Sequence, residues 1–246
     1  MRSGNPALNA KTFAGFDATS DAVMTVQGTV NKTAILLAFV VASAIYVWRL
    51  FFATGDAATI MPYVLAGGIG GLIFAMIAIF KPTTASWSAP IYAVLEGLVL
   101  GGVSALFENA YPGIVMQAVG LTFGTMFALL FAYKSGIIRA TENFKLGVFA
   151  ATGGIFMLYM VNIVMGFFGS GMDFIHNSGL WGIAFSGFVV VIAALNLVLD
   201  FDFIEDAAAK GAPKYMEWRA ALGLLITLVW LYFEILRLLS KLRSRN

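Results

Sequence analysis

Seven predominantly apolar stretches, each about 20 residues long, follow one another along the chain and limit its fold more than any other feature. A helix needs about 20 apolar residues to cross the hydrocarbon core of a bilayer. A transmembrane barrel is excluded, because its strands alternate apolar and polar residues. The sequence therefore predicts an all-α fold, a multi-pass integral membrane bundle of seven transmembrane helices. The predicted spans are residues 33–52, 60–80, 89–107, 114–133, 146–168, 180–199 and 220–239.

The composition agrees with a membrane protein and narrows the function classes. Charged residues make up 11% of the chain and hydrophobic residues 60%, whereas a soluble domain carries about 25% charged residues. A net charge of only +2 argues against a nucleic-acid partner, which requires a clustered excess of positive charge. The sequence has no cysteine, no HExxH motif and no GxSxG motif. It therefore lacks the residues that cysteine-dependent enzymes, zinc proteases of this type and α/β-hydrolases use. We therefore expect that the protein is not an enzyme and that it binds no cofactor tightly.

Polar segments flank the predicted spans. Residues 1–32 lack the apolar core of a signal peptide and are predicted to form a polar tail. Residues 33–239 form the transmembrane domain, whose loops are too short for a second soluble domain, and residues 240–246 form a basic C-terminal tail. The one histidine, His176, is interpreted as a surface residue of a loop.

Basic residues orient the bundle, because cytoplasmic loops carry an excess of Lys and Arg. With a cytoplasmic amino terminus, no outer loop holds a basic residue, and Arg49 can reach the interface from the first span. The carboxyl end conflicts with this orientation after seven spans. Either its bases form an outer tail or the last segment is re-entrant, and this choice stays open. The conflicting bases are Arg237, Lys241, Arg243 and Arg245.

Glycines cluster in three of the predicted spans. In lipid, small residues allow the close backbone approach that holds helices together. We interpret the following glycines as helix-packing positions: Gly67, Gly68, Gly70, Gly71, Gly97, Gly101, Gly102, Gly147, Gly153 and Gly154.

Asp200 ends the sixth predicted span and is one of three acids at membrane depth. An ionisable residue in the membrane is costly unless it is paired or hydrated. Asn196 lies four residues before Asp200 and shares its helix face, whereas Asp202 points about 200° away from it. Asp202 shares a second face with Glu205 and Asp206, which is typical of a solvated acidic end of a helix.

Glu234 and Glu96 are the other two acids. Glu234 lies in the middle of the seventh span, where Arg237 at i+3 can form an intrahelical ion pair with it. Glu96 has no basic residue within four positions, so it must find a partner on another helix, face a water-filled cavity or stay protonated.

Asp200 and Glu234 could act together as a pH sensor. Two carboxyl groups in a poorly hydrated site share a proton and titrate as a coupled pair, and carboxylate oxygens also bind Ca²⁺. A plain hairpin at residues 211–213 would offset the two groups by about 15 Å. Contact therefore requires residues 214–219 to lie along the membrane surface, which reduces the offset to about 7 Å.

Four stretches resemble the transmembrane Bax inhibitor motif family, and in particular its bacterial YccA-like branch. They are residues 196–204, 231–239, 24–33 and 90–97. The resemblance implies a seven-helix bundle with a central seventh helix and a pH-sensitive Ca²⁺ leak gated by two acids. Asp200 and Glu234 take the positions of these acids, although the family has Asp at the second position and a shorter loop between them.

The family also has an arginine cluster at the end of the second span, which can bind the acid pair in the closed state. Here Lys81 is the base at that position, and Arg237 is the base beside the second acid. Lys81 and Arg237 are therefore candidates for closed-state partners. Independently of the resemblance, the polar residues Glu96, Asp202 and Asn196 in or beside the spans are candidates for the ion pathway.

Three functions remain as hypotheses. The first is a pH-sensitive Ca²⁺ leak channel in the bacterial plasma membrane, a monomer whose partners are lipid, Ca²⁺ and protons and whose metal-binding acids are Asp200 and Glu234. The second is a membrane interaction protein that restrains a membrane protease or a stress pathway without transport. The third is a proton-coupled transporter that uses Glu96.

Overall fold

The computed structural model describes residues 23–168 and 179–245. The predictions for residues 1–22 and for His176 lie outside these residues. In the described part the fold is all-helical, and each of its seven long helices is apolar enough to cross a membrane, so the predicted fold class is confirmed. The helices are α1 (Val26–Thr54), α2 (Ala57–Phe80), α3 (Ala85–Ala110), α4 (Ile114–Lys134), α5 (Glu142–Phe167), α6 (Leu180–Ala209) and α7 (Met216–Ser244).

Several helices extend beyond the apolar runs, because polar residues cap their ends. Thr25 caps α1 by accepting a hydrogen bond from the Gly28 N–H, which is the usual role of a hydroxyl at this position. Residues 26–32 therefore belong to α1, although they were predicted as part of the tail. Residues 240–244, predicted as a basic tail, likewise continue α7 to Ser244.

Helix α7 is the most enclosed helix, as the family resemblance implies. Of its most apolar stretch 61% is buried, compared with 11% for α5. It packs against α1, α3, α4 and α6. Side chains on α7 are consequently in a position to link most of the bundle.

The glycines divide the bundle into a tight and a loose half. A Cβ added to Gly97 would lie 2.4 Å from the Val40 carbonyl oxygen, and one added to Gly101 would lie 2.3 Å from that of Ala44. These glycines allow α1 and α3 to touch, and Gly67 and Gly102 do the same between α2 and α3. The packing prediction is wrong for four glycines, because a Cβ added to any of them would have no atom within 4 Å. Three of the four are in α5, which packs mainly against α6 and so has most of its surface free of other helices. The four glycines are Gly68, Gly147, Gly153 and Gly154.

Helices α6 and α7 form a plain antiparallel hairpin. Its turn includes Gly211, which has a φ of 68°, and α7 begins at Met216 without a preceding surface segment. Helix α7 then continues unbroken to Ser244, so a re-entrant last segment is not observed. The start of α1 lies beside the turn, where the Met24 N–H donates to the Ala212 carbonyl at 2.7 Å. We call this the hairpin end of the bundle, and the other the C-terminal end.

Candidate functional site

Polar side chains follow the contact between α6 and α7. On α7, Thr227, Glu234 and Lys241 recur every seven residues and so share one face. On α6, Asp200 lies beside Thr227, and Ser186 binds Lys241. We call this contact, with these five residues, the seam. Thr227 and Lys241 are about 21 Å apart along α7, so the seam extends over much of a membrane thickness.

Asp200 carries the least satisfied polar atom of the seam. Its Oδ2 is enclosed and has no hydrogen-bond partner, the one such side-chain atom in the described part of the chain. Its Oδ1 lies 3.9 Å from the place of a Cβ on Gly223, so the absence of a side chain there leaves the carboxyl against α7. The neighbouring Thr227 hydroxyl donates to the Gly223 carbonyl at 3.2 Å. A buried polar group without a partner is rare in folded proteins. Asp200 is therefore the strongest candidate for a functional residue in the bundle.

Glu234 is instead fully engaged. The Tyr159 hydroxyl of α5 donates to its Oε1 at 3.1 Å, and Arg237 donates to the same oxygen at 3.1 Å. Arg237 also donates to the Tyr159 hydroxyl at 2.7 Å and lies over its ring. The predicted intrahelical ion pair is therefore confirmed, with Tyr159 as a third member from α5.

The structure does not bring Asp200 and Glu234 together. Asp200 faces Gly223 and Thr227, and Glu234 lies seven residues or about 10 Å beyond Thr227. The predicted acid pair, and with it a Ca²⁺ site shared by the two residues, is not formed because the plain hairpin sets this register. Among residues 23–168 and 179–245 no group of three or more metal-ligating side chains occurs.

Lys241 closes the seam at the C-terminal end. Only 5% of Lys241 is exposed, and its Nζ donates to the Gly182 carbonyl at 3.0 Å and to the Ser186 hydroxyl at 2.8 Å. Arg243, outside the seam, donates to the Pro112 carbonyl at 2.7 Å. Three of the four bases that conflicted with the predicted orientation, Arg237, Lys241 and Arg243, are thus held by the bundle itself.

The hairpin end contains an ion cluster that the sequence did not reveal. Glu217 is completely buried and forms ion pairs with Lys32 of α1 and with Lys214 at 2.8 Å. The backbone N–H and the hydroxyl of Thr25 also donate to it, at 2.9 and 3.0 Å. An acid in the first turn of a helix, three residues after a lysine, is the only local signal. We call Glu217, Lys32, Lys214 and Thr25 the clamp.

An arginine does lie at the end of α2, but it comes from α7. Arg219 donates to the Ile79 carbonyl at 2.6 Å, whereas Lys81 is exposed. Neither residue contacts Asp200. The predicted closed-state partners therefore do not bind Asp200, because Lys81 is exposed and Arg237 pairs with Glu234.

The remaining candidates lie outside the seam. Glu96 is half-buried on the side of α3 that faces α2, where Oε2 lies 3.5 Å from the place of a Cβ on Gly71, and its polar neighbour is Tyr92 of its own helix. Asn196 donates to Thr152 of α5 at 2.8 Å. Asp202 pairs with Lys145 at 2.7 Å, in agreement with a partly solvated acidic end of α6.

Comparison with known proteins gives one match. The family model described as Bax inhibitor 1 like matches residues 5–244, nearly the whole chain. No curated protein and no solved structure matches it significantly.

Proposed function

Because the chain belongs to the Bax inhibitor 1 like family, we propose that it is a pH-sensitive cation leak in which Asp200 alone is the gating acid and Ca²⁺ is the conducted ion. The observation that carries the proposal is the enclosed Oδ2 of Asp200, which has no hydrogen-bond partner. Glu234 has no part in proton sensing in this proposal, since Arg237 and Tyr159 occupy both of its oxygens.

The chemistry of gating follows from the surroundings of Asp200. A neutral carboxyl group fits the closed seam, whereas ionisation places a negative charge where no base contacts it. An unpaired buried charge is strongly unfavourable. Movement of α7 away from α6 relieves this cost by admitting water or a cation to the carboxylate, an oxygen ligand of the kind Ca²⁺ prefers. Protons and Ca²⁺ then compete for one carboxylate, so the leak increases as the pH rises.

Flux into liposomes tests this function. Vesicles loaded with a Ca²⁺ dye and carrying wild type, Asp200→Asn or Asp206→Asn are compared between pH 6 and pH 8. We expect pH-dependent flux in wild type and in Asp206→Asn, whose carboxylate pairs with Lys210 at the surface, and pH-independent flux in Asp200→Asn. Equal and pH-independent flux in wild type and in both variants would contradict the proposal.

We propose that the hairpin end faces the cytoplasm of a bacterial inner membrane, as the excess of basic residues there suggests. The chain has no cysteine, so single cysteines at the exposed residues Ala209 and Ser244 are the only sites for a membrane-impermeant maleimide. Labelling of the Ser244 variant alone in intact cells supports this orientation. Labelling of the Ala209 variant alone contradicts it.

A second candidate function is restraint of a membrane protease through residues 1–22. The observation in its favour is that the chain leading to α1 is fixed at Met24 and at Thr25, beside the hairpin turn. A partner of residues 1–22 would thus be held near the turn. Deletion of residues 1–20 should abolish protease binding and leave flux intact; retained binding rejects this candidate.

A further inference from the structure

The last helix contains a single glycine, and that glycine lies beside the carboxyl group of Asp200. Gly223 is the only glycine in the sequence of α7. Among the described residues, only Oδ1 of Asp200 lies within 4 Å of a Cβ placed on Gly223, apart from the adjoining backbone of α7, and its distance is 3.9 Å. This distance is an ordinary van der Waals contact. The contact between α6 and α7 therefore has room for one methyl group at this place.

Helix packing does not account for Gly223. A Cβ added to Gly97 or Gly101 would lie 2.4 or 2.3 Å from a carbonyl oxygen of α1, so close contact between those helices requires glycine. A Cβ added to Gly223 would meet no such obstacle. Alanine is more favourable than glycine in the interior of a helix, so α7 has the less favourable residue at the place that adjoins the enclosed carboxyl group.

Oxygen atoms border the space beside Gly223. Oδ1 of Asp200 faces this space, and Oδ2 of the same carboxyl group is enclosed without a hydrogen-bond partner. The Thr227 hydroxyl, which adjoins Asp200, donates to the Gly223 carbonyl at 3.2 Å. Oxygen ligands of this kind bind hard cations such as Ca²⁺. The space thus combines room for a small ion with the atoms that can replace part of its hydration shell.

We propose that Gly223 is the size-selecting residue of the leak, and that a conducted cation passes Asp200 through the space beside this glycine. The inference rests on the proposed leak function and adds the position of the narrow point. Ca²⁺ lies about 2.4 Å from each oxygen ligand. A methyl group on Gly223 would lie 3.9 Å from Oδ1 of Asp200. A cation bound to Oδ1 on this side would be only about 1.5 Å from the methyl carbon, so the two would overlap.

The proposal predicts a change in ion selectivity. Gly223→Ala narrows the space by one methyl group, and Ba²⁺, which has the charge of Ca²⁺ but a larger radius, should be affected more strongly. We expect Ca²⁺ flux to fall about tenfold and Ba²⁺ flux about hundredfold, within the range that one added methyl group can cause in a packed interior. A variant that merely opens less often would lower both fluxes by the same factor. The ratio of the two fluxes therefore reports on the pathway itself.

The experiment measures Ca²⁺ and Ba²⁺ flux in parallel at pH 8, in liposomes that carry wild type, Gly223→Ala or Gly187→Ala. Gly187 of α6 is the matched control, because it is also partly buried and a Cβ added to it would have no atom within 4 Å. Its variant should keep the flux ratio of wild type. Thr227→Val places a methyl group where the hydroxyl borders the space, and it should also lower the ratio of Ba²⁺ to Ca²⁺ flux. This variant decides the matter if Gly223→Ala does not fold.

The outcomes separate this inference from the proposed function. An unchanged flux ratio in Gly223→Ala, or an equal change in Gly187→Ala, overturns the role of Gly223 even if Asp200→Asn abolishes the pH dependence of the leak. A lower ratio of Ba²⁺ to Ca²⁺ flux in Gly223→Ala, with the control unchanged, supports this role. It does so even if Asp200→Asn retains the pH dependence of wild type, in which case only the gating role of Asp200 fails.

Discussion

The two ends of α7 use the same types of residue in opposite arrangements. At the hairpin end an acid, Glu217, is enclosed, and its two bases, Lys32 and Lys214, are 16% and 48% exposed. At the C-terminal end a base, Lys241, is enclosed together with one acid, and Arg237 lies at the surface. Each cluster contains one acid and two bases, but one ion pair of the clamp joins α7 to α1, whereas Glu234 and Arg237 pair within α7 itself.

The difference indicates which end of α7 is fixed. Glu217 receives two ion pairs and two hydrogen bonds, and it lies in the first turn of α7, where the helix dipole favours an acid. Lys241 lies in the last turn of α7, where the helix dipole favours a base, but it also faces the first turn of α6, where the dipole is positive. Opening of the seam should therefore begin at the C-terminal end, while the clamp holds the other end in place.

Loss of the clamp acid should have the largest effect on stability. Glu217→Gln leaves Lys32 and Lys214 without their acid, and removal of one partner from a buried ion cluster costs about 3 kcal/mol. Denaturant unfolding in detergent measures the change. Glu142→Gln is the control, because its pair with Lys145 is exposed and should contribute less than about 1 kcal/mol. Equal effects in the two variants would remove the contrast between the ends of α7.

A methyl group beside the clamp should have an intermediate effect. A Cβ on Gly28 would lie 2.1 Å from Oε1 of Glu217, and that carboxylate cannot move without loss of its four bonds. Gly28→Ala should therefore cost about 2 kcal/mol of unfolding free energy, as is usual for overpacking. Gly147→Ala, with open space around it, should be neutral or stabilise by up to about 1 kcal/mol. A stable Gly28→Ala protein would mean that the clamp is looser than its contacts imply.

The smallest effect is expected at the C-terminal end. Tyr159→Phe removes one hydroxyl that bridges α5 to Glu234 and Arg237, but the ion pair between those two residues remains. We expect a loss of about 1 kcal/mol, measured in the same unfolding assay. A loss as large as that of Glu217→Gln would show that this end is also fixed, contrary to the comparison.

The sequence predicted the helices well, because each needs only its own apolar run to be recognised. It could not predict the partners of Asp200, since these depend on the register of the hairpin, and a turn of a few residues sets that register. The choice between a plain hairpin and a surface segment shifted the expected offset by about 8 Å. The real turn gave Asp200 a glycine and a threonine as neighbours instead of Glu234.

Glu217 was missed for a different reason. Its partners Lys32 and Thr25 lie 185 and 192 residues away in the chain, and no local pattern links them. The glycines show the same limit, because Gly97 and Gly147 are similar in sequence but only Gly97 faces another helix closely. Helix existence is a local property, whereas the contacts that define a site are not.

Arg219 provides a further attachment of α7 at the hairpin end, which affects the shape of any open state. Through its hydrogen bond to the Ile79 carbonyl, the first turn of α7 is tied to α2, just as the clamp ties it to α1. Three helices are thus joined at the hairpin end, and α1 and α2 are also joined at the C-terminal end by the short connection of Gly55 and Asp56. A pathway that opens by movement of α7 against these two helices would therefore be widest at the C-terminal end and narrowest beside the hairpin turn.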